Sequence, residues 1–468
     1  MSGMHWKSEK TLDSVFSLPH LCRTRHVRKN KEIIMNWKEK YADKIVSAEY
    51  AVSLVQDGDK IIFGDWLGEP PALVETLYDH GMEKHDVTIV HGMSPGSNRC
   101  VDPAYAGHFK HVSTFLGPNS RPGYKAGTVE YIGGTNFHCW PEMFAVSDIL
   151  NPHWAYVQVT EPDENGMCSY GVDCSFTEPA VRTAAKGKVV AQINPNFPRI
   201  GGKMLHIDDI DYIVYQESPL YTIGRAGVNE KTQKIADYCA SLIEDDSTIQ
   251  LGIGALPDAI ARNLKDKKNL GVHSETLTES MMELVEAGVI NNSMKTINKG
   301  VCIGSQLAGS EAFYRYCENN PMFEVHPVDY VNDPYIIGQN YKQVSINACL
   351  EIDLKGQANS ESIGGMQYSG IGGQLDHVRG AQLSKGGKSI LALNSTAKGD
   401  TISKIVPFHT HGNIVTVPRY DINYVVTEYG IADLKYKTER QRAEALIAIA
   451  HPNFRDELRF EGRKLGVL

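Results

Sequence analysis

Glu275 closes a short apolar run, Leu270-Gly271-Val272-His273-Ser274-Glu275, which reads as a strand ending in a carboxylate. Upstream, Thr248-Ile249-Gln250-Leu251 runs into Gly252-Ile253-Gly254 and then Ala255-Leu256-Pro257-Asp258. That order predicts a strand, a glycine turn and a helix start. A carboxylate beside such a turn has the parts of a nucleophilic site. One oxygen can attack, and backbone N–H groups left bare by glycine can receive developing negative charge. The same residues also fit a surface glutamate at a strand end and a Gly-x-Gly that only lets strand and helix pack closely. A second loop, Gly370-Ile371-Gly372-Gly373-Gln374, carries two adjacent glycines that admit another backbone or a ligand at close range.

The elements that must hold these residues repeat along the chain. Ser53-Leu54-Val55-Gln56-Asp57-Gly58-Asp59-Lys60-Ile61-Ile62-Phe63-Gly64 matches Ser241-Leu242-Ile243-Glu244-Asp245-Asp246-Ser247-Thr248-Ile249-Gln250-Leu251-Gly252. Each copy predicts a helix end, an acidic turn and an apolar strand closed by glycine. Each then reaches a proline (Pro70-Pro71, Pro257) that suits the first turn of a helix. A further strand follows in both, Val87 to Gly92 and Leu270 to Glu275, and only the second copy ends in an acid. The asymmetry favours a special role for Glu275. The period is far longer than a solenoid repeat, so it implies two related α/β domains in tandem with mostly parallel sheets. Further strands are predicted at 61–63, 189–191, 212–215, 390–393, 414–417 and 424–426, and an amphipathic helix over Glu439–Ala450 that stops before Pro452. The predicted organisation is a basic extension over 1–34, one domain over 35–225 and a second over 226–468.

At 468 residues the chain exceeds one core, and its charged content of 22% is ordinary for a globular protein. A net charge of -9 argues against nucleic-acid or membrane affinity, and no apolar run is long enough to span a bilayer. Nine scattered cysteines without a Cys-x-x-Cys pair point to reduced thiols in the cytoplasm. Cys168 and Cys174 could pair on a metal, but plain thiols are the simpler expectation, and no metal site is expected. Residues 1–34, with seven lysines and arginines among few acids, fit an upstream start or tail, or an organelle presequence.

Taken together, Ser241 to Glu279, Pro327-Val328-Asp329-Tyr330, Ser345 to Leu350, Ser369 to Asp376, Ile402 to Pro407 and Tyr424 to Gly430 resemble the family I CoA-transferases. Within that family they resemble the branch handling 4-hydroxybutyrate, or exchanging butyryl-CoA with acetate. The resemblance spans about residues 35 to 465 and is densest after 236. It implies the duplicated CoA-transferase fold and an enzyme that moves CoA between short-chain carboxylates. It makes Glu275 the nucleophile, ionised at neutral pH, that carries CoA as a glutamyl thioester. It places CoA against Gln250, Leu251, Gly252, Ile253, Gly254, Gly372 and Gly373, and against the apolar Leu350. Lys398 is a candidate for the CoA phosphates, and equally a solvated surface lysine. No cofactor is implied beyond CoA as substrate, and a homodimer or higher homo-oligomer is expected. The turn-rich loops 117–123 and 133–138 are expected to shape the acyl pocket, with Arg121, Asn136 and His138 as its polar candidates. A hydrolase on the same scaffold, or a CoA sensor without catalysis, stays open at this level.

Overall fold

The structure is a computed structural model that describes residues 36–468, apart from 97–98, 134–135 and 185–187. The basic segment 1–34 lies outside the described residues. Of the first unit, the described residues 36–41 hold a four-residue helix, Trp37–Lys40, capped by the Asn36 side chain. Ala42–Leu468 forms a second, compact unit.

Two sheets carry that second unit. The first has seven strands, β1 (Lys60–Phe63), β2 (Val87–His91), β3 (Phe109–Ser113), β4 (Val129–Tyr131), β5 (Trp154–Val159), β6 (Val189–Ile193) and β7 (Tyr212–Tyr215), ordered β7-β6-β5-β1-β2-β3-β4. The second has six, β8 (Thr248–Leu251), β9 (Gly271–Val272), β10 (Gln343–Ala348), β11 (Lys388–Ala392), β12 (Tyr424–Thr427) and β13 (Gly430–Asp433), ordered β9-β8-β10-β11-β12-β13. Reading β7-β6-β5-β1-β2 beside β12-β11-β10-β8-β9 superposes the duplicated segments, β1 on β8 and β2 on β9. The registers agree in kind: β1 sits parallel between β2 and β5, as β8 sits parallel between β9 and β10. All pairs in both sheets are parallel except the closing hairpin β12–β13.

Parallel strands are covered on both faces, which is why these strands are Val- and Ile-rich and buried along most of their length. Helix α1 (Pro71–His80) follows β1, with Pro71 in its first turn, and sends Leu73, Leu77 and Tyr78 into the core of the first sheet. Helix α2 (Glu230–Ser241) leads into β8, and α3 (Ala255–Arg262) leaves it, with Pro257 in the first turn. Helix α4 (Gln374–Leu383) covers the second sheet and buries Leu375 and Val378 with Leu391 and Val425.

Two predicted elements are corrected. Ile414–Val417 is not a strand: Ile414 and Val415 are exposed, and only Val417 makes an isolated bridge, to Ala358. Its backbone donors go to scattered acceptors rather than to one strand: Ile414 N–H to Ser362 Oγ (2.8 Å), and Thr416 and Val417 N–H both to Ala358 O (2.9 and 3.0 Å). Helix α5 (Glu439–Ala448) ends before Ala450, and its buried face holds Arg442 beside Ala443, Leu446 and Ile447. The Arg442 guanidinium donates to the carbonyls of Leu434 (2.7 Å), Arg419 (2.8 Å) and Lys355 (3.0 Å), so a charged residue takes a core position. Among the described residues, no helix is long and apolar enough to cross a membrane.

Candidate active site

Strand β9 is only two residues long, so Glu275 lies beyond its end and just before another short strand, Thr276–Thr278. That strand pairs in parallel with Gln306–Ala308. Hydrogen bonds hold the backbone on either side of the carboxylate. Ser274 N–H donates to Ile303 O (3.0 Å), and the Glu275 carbonyl accepts from Ser305 N–H (2.8 Å), Gln306 N–H (3.2 Å) and Ser305 Oγ (2.9 Å). His273 is buried, with Nε2 2.8 Å from Val331 O. A side chain launched from such a backbone has little freedom except in its own rotamers.

The carboxyl group meets two elements. Asn332, the C-cap of the short helix Val328–Val331, donates from Nδ2 to Glu275 Oε2 at 2.6 Å. Gly373, the N-cap of α4, lies against the same carboxyl and offers its N–H. A Cβ at Gly373 would sit 2.0 Å from Glu275 Oε2 and 2.3 Å from Asn332 Nδ2, so only glycine leaves room for the carboxylate. The N-terminus of α4 therefore faces the acid, an arrangement that favours negative charge. Burial opposes it and pushes the carboxyl up to about 7, with the Asn332 and Gly373 hydrogen bonds pulling down and nearby Asp376 pushing up. The carboxylate expected to be ionised at neutral pH is thus a group that titrates near neutrality, because desolvation outweighs its donors.

A cavity of about 220 Å³ opens over Glu275 at the C-terminal ends of β8 and β10, where open α/β sheets bind ligands. Gln250, Leu251, Gly252 and Ile253 line it, as do Gly372 and Gly373. The Gln250 side chain is fixed on β10, accepting from Ile346 N–H and Asn347 Nδ2, each at 3.1 Å. Ile253 is 44% exposed, an apolar side chain standing at the cavity rim. Gly254 lines a small adjoining cleft with Ile253 and Arg225, at a φ of +115° that favours glycine. Leu350 and Lys398 are not among the cavity-lining residues. Leu350 is half-buried, with its N–H on Asn359 O (2.8 Å), and Lys398 is exposed at the tip of a hairpin joining Thr396–Ala397 to Ile402–Ser403.

The first half of the chain reaches the same place. Phe115 lines the cavity, and Gly370 lies so close to Thr114 and Phe115 that a Cβ would fall 2.8 Å from Thr114 O. Arg121 Nε donates to Tyr368 O (2.6 Å) and its guanidinium stacks 3.8 Å over the Tyr368 ring, clasping the second glycine loop. His138 Nδ1 lies 2.8 Å from Asp376 Oδ1, and the Cys139 sulfur 3.3 Å from His138 Nε2. The Asp376 bond raises the His138 pKa, while burial raises that of Asp376. Asn136 lines a second cavity of about 500 Å³, with Tyr131, Glu361 and Gln367, which shares Ile371 with the first. Cys168 and Cys174 are buried thiols whose pKa burial raises, Cys168 to about 12.

Sequence reasoning missed Asn332, Phe115 and His377. Asn332 lies two residues beyond a motif that was singled out, yet nothing local links it to Glu275 across 57 positions. His377 follows directly on the Ser369–Asp376 stretch and lines the cavity.

The acetyl-CoA hydrolase/transferase N-terminal domain matches residues 27–223, and the corresponding C-terminal domain matches 309–461. The chain is 44% identical to 4-hydroxybutyrate coenzyme A transferase of Clostridium kluyveri, over 92% of this chain and 100% of that one. It is 35% identical to butyryl-CoA:acetate CoA-transferase of Anaerostipes caccae, over 91% and 97%. Among solved structures, RipA of Yersinia pestis superposes with a TM-score of 0.85 at 33% identity, covering 93% of this chain and 100% of that chain. The 4-hydroxybutyrate CoA-transferase of Porphyromonas gingivalis gives 0.79 at 37%, over 92% and 100%. With both halves matched around one glutamate-floored cavity, the chain belongs to the acetyl-CoA hydrolase/transferase family, and it is a CoA-transferase.

Proposed function

We propose that this enzyme moves CoA between short-chain carboxylates, 4-hydroxybutyrate or butyrate on one side and acetate on the other, through a glutamyl-CoA thioester on Glu275. The observation that carries the reading is the Glu275 carboxyl itself, held by Asn332 and Gly373 at the floor of a cavity, with its own backbone carbonyl bonded to Ser305 and Gln306.

In this reading a Glu275 oxygen attacks the acyl-CoA carbonyl, the C–S bond breaks and CoA thiolate leaves, giving an acyl-glutamyl anhydride. The thiolate then attacks the glutamyl carbonyl, releases the first acid and forms the enzyme thioester. An acceptor carboxylate displaces CoA from that thioester, and CoA finally attacks the acceptor's acyl carbon and frees Glu275. Each step exchanges one acyl bond for another, with no net electron or proton. Gly372 and Gly373, at the N-terminal end of α4, are suited to stabilise the oxyanions, and Gln250–Gly254 to receive the CoA arm. A cavity of this size suits an acyl group and its thioester, with the rest of CoA running outward. Leu350 and Lys398 would meet only that outer part. We further propose the two domains as 35–225 and 226–468, and a homo-oligomeric assembly.

The test is intact-protein mass spectrometry after adding butyryl-CoA without acceptor. A CoA-sized adduct on Glu275 that hydroxylamine removes is the expected result. Consumption of acyl-CoA at a rate independent of added carboxylate would turn the reading to hydrolysis. Absence of any adduct or turnover with butyryl-, acetyl- and 4-hydroxybutyryl-CoA would overturn it. Glu275→Ala is expected to abolish transfer. Glu275→Asp, which withdraws the nucleophile by about 1 Å, is expected to cost on the order of 100-fold in kcat.

A further inference from the structure

Beside the Glu275 cavity the structure brings a thiol, an imidazole and a carboxylate into line. The short turn Phe137–Cys139 is anchored by two buried aromatics, Phe137 and Trp140, with Phe137 edge-on to Phe176 at 4.8 Å between ring centroids. Between those anchors, His138 and Cys139 stay partly exposed, with 22% of the His138 side chain reached by solvent.

Asp376, buried in the first turn of α4, grips His138 twice. Its Oδ2 accepts the His138 backbone N–H at 3.0 Å, and its Oδ1 lies 2.8 Å from Nδ1. A carboxylate at Nδ1 keeps the proton of a neutral imidazole on that nitrogen and leaves Nε2 as a lone pair. Nε2 faces the Cys139 sulfur at 3.3 Å. A base within reach of the thiol, itself oriented by a third group, is the arrangement of an activated nucleophile.

The surrounding charges favour a strong base. The Asp376 hydrogen bond raises the His138 pKa and burial of the ring lowers it, while Asp333 adds to the rise and Arg379 opposes it. The other six described cysteines are buried, and burial raises the pKa of every one.

We propose that Cys139 and His138 form a thiolate–imidazolium pair backed by Asp376, and that Cys139 is a covalent-modification site for small soft electrophiles. The thiol proton passes to His138 Nε2. The thiolate attacks the electrophilic carbon, a C–S bond forms, and the leaving group departs with its bonding electron pair. With iodoacetamide the products are a thioether and iodide, and His138 returns the proton to water. The step uses no atom of Glu275 and does not depend on the transfer chemistry. Asp376 acts through His138 and is a positioning residue.

The experiment measures the iodoacetamide labelling rate at Cys139 by peptide mass spectrometry, on the full chain, from pH 6 to pH 8, beside N-acetylcysteine as an ordinary thiol. At pH 6 Cys139 is expected to react at least about tenfold faster than the reference, because an unperturbed thiol is almost wholly protonated there. Its rate is expected to change by less than about threefold up to pH 8, whereas the reference gains about tenfold per pH unit. A smaller excess at pH 6, or a rise at Cys139 as steep as the reference, overturns the proposal. His138→Gln is expected to lower the pH 6 rate by at least about tenfold and to restore the steep rise. Asp376→Asn, which keeps an acceptor for Nδ1 without the charge, is expected to fall between the two. An unchanged profile in His138→Gln also overturns the proposal, and if neither variant folds the native profile decides by itself.

Discussion

Ionising Glu275 works against its own burial. The attacking form is the carboxylate, so kcat/KM for acyl-CoA is expected to rise with pH through about 7 and then level, by about tenfold between pH 6 and pH 8. The same shift has a consequence for stability with the opposite sign to an ordinary salt-bridged acid. The folded protein holds a proton on Glu275 up to about 7, whereas the unfolded chain releases it near the ordinary value of 4.5. Between those values the folded state binds more protons, so stability falls as pH rises and the penalty is complete above 7. Glu275→Gln removes the charge and is expected to unfold at higher temperature than the native protein at pH 8, by on the order of 1–3 kcal/mol, and to lose that advantage near pH 4.5. Gly373 allows a separate check. Gly373→Ala would drive a methyl group into the Glu275–Asn332 hydrogen bond and is expected to lower kcat by at least about 100-fold with the circular dichroism spectrum preserved.

At the scale of elements, the site depends on pieces that end where they must. Strand β9 stops after two residues and frees Glu275 from the ladder, and α4 begins with a glycine and points its bare N–H groups at the acid. The glycine signatures at 250–254 and 370–374 made both turns legible, because bare backbone at the end of a strand or the start of a helix has few other uses. The extent of β9 was not legible: the apolar run to His273 looks like more strand, and tertiary bonds from Ser305 and Gln306 divert it. Arg442 on α5 shows the same limit. A charged side chain reads as solvent-facing, and only the assembled carbonyls of Lys355, Arg419 and Leu434 make it a core residue. Arg442→Leu leaves those carbonyls unmet and is expected to destabilise the protein by about 2–4 kcal/mol, read from the urea midpoint.

Over the whole molecule, the duplication was the strongest sequence signal, and the matched strand orders of the two sheets are its structural counterpart. What the repeat could not reveal is how the halves meet. Phe115 comes from a loop of the first half, Arg121 from the first residue of the short helix Arg121–Ala126 and His138 from the single 3-10 turn Phe137–Cys139, and they become part of the site only through contacts with 368–376. Asn332 is invisible for the same reason. One earlier feature also acts as a clock. The Ser305 and Gln306 amide protons are both spent on the Glu275 carbonyl, in a place solvent reaches only when the strand that carries them comes away. In deuterated water these two amides are expected to exchange only through global unfolding, while those around Lys398 exchange through local opening. Their labelling rate therefore times how long the nucleophile stays in position, independently of any substrate.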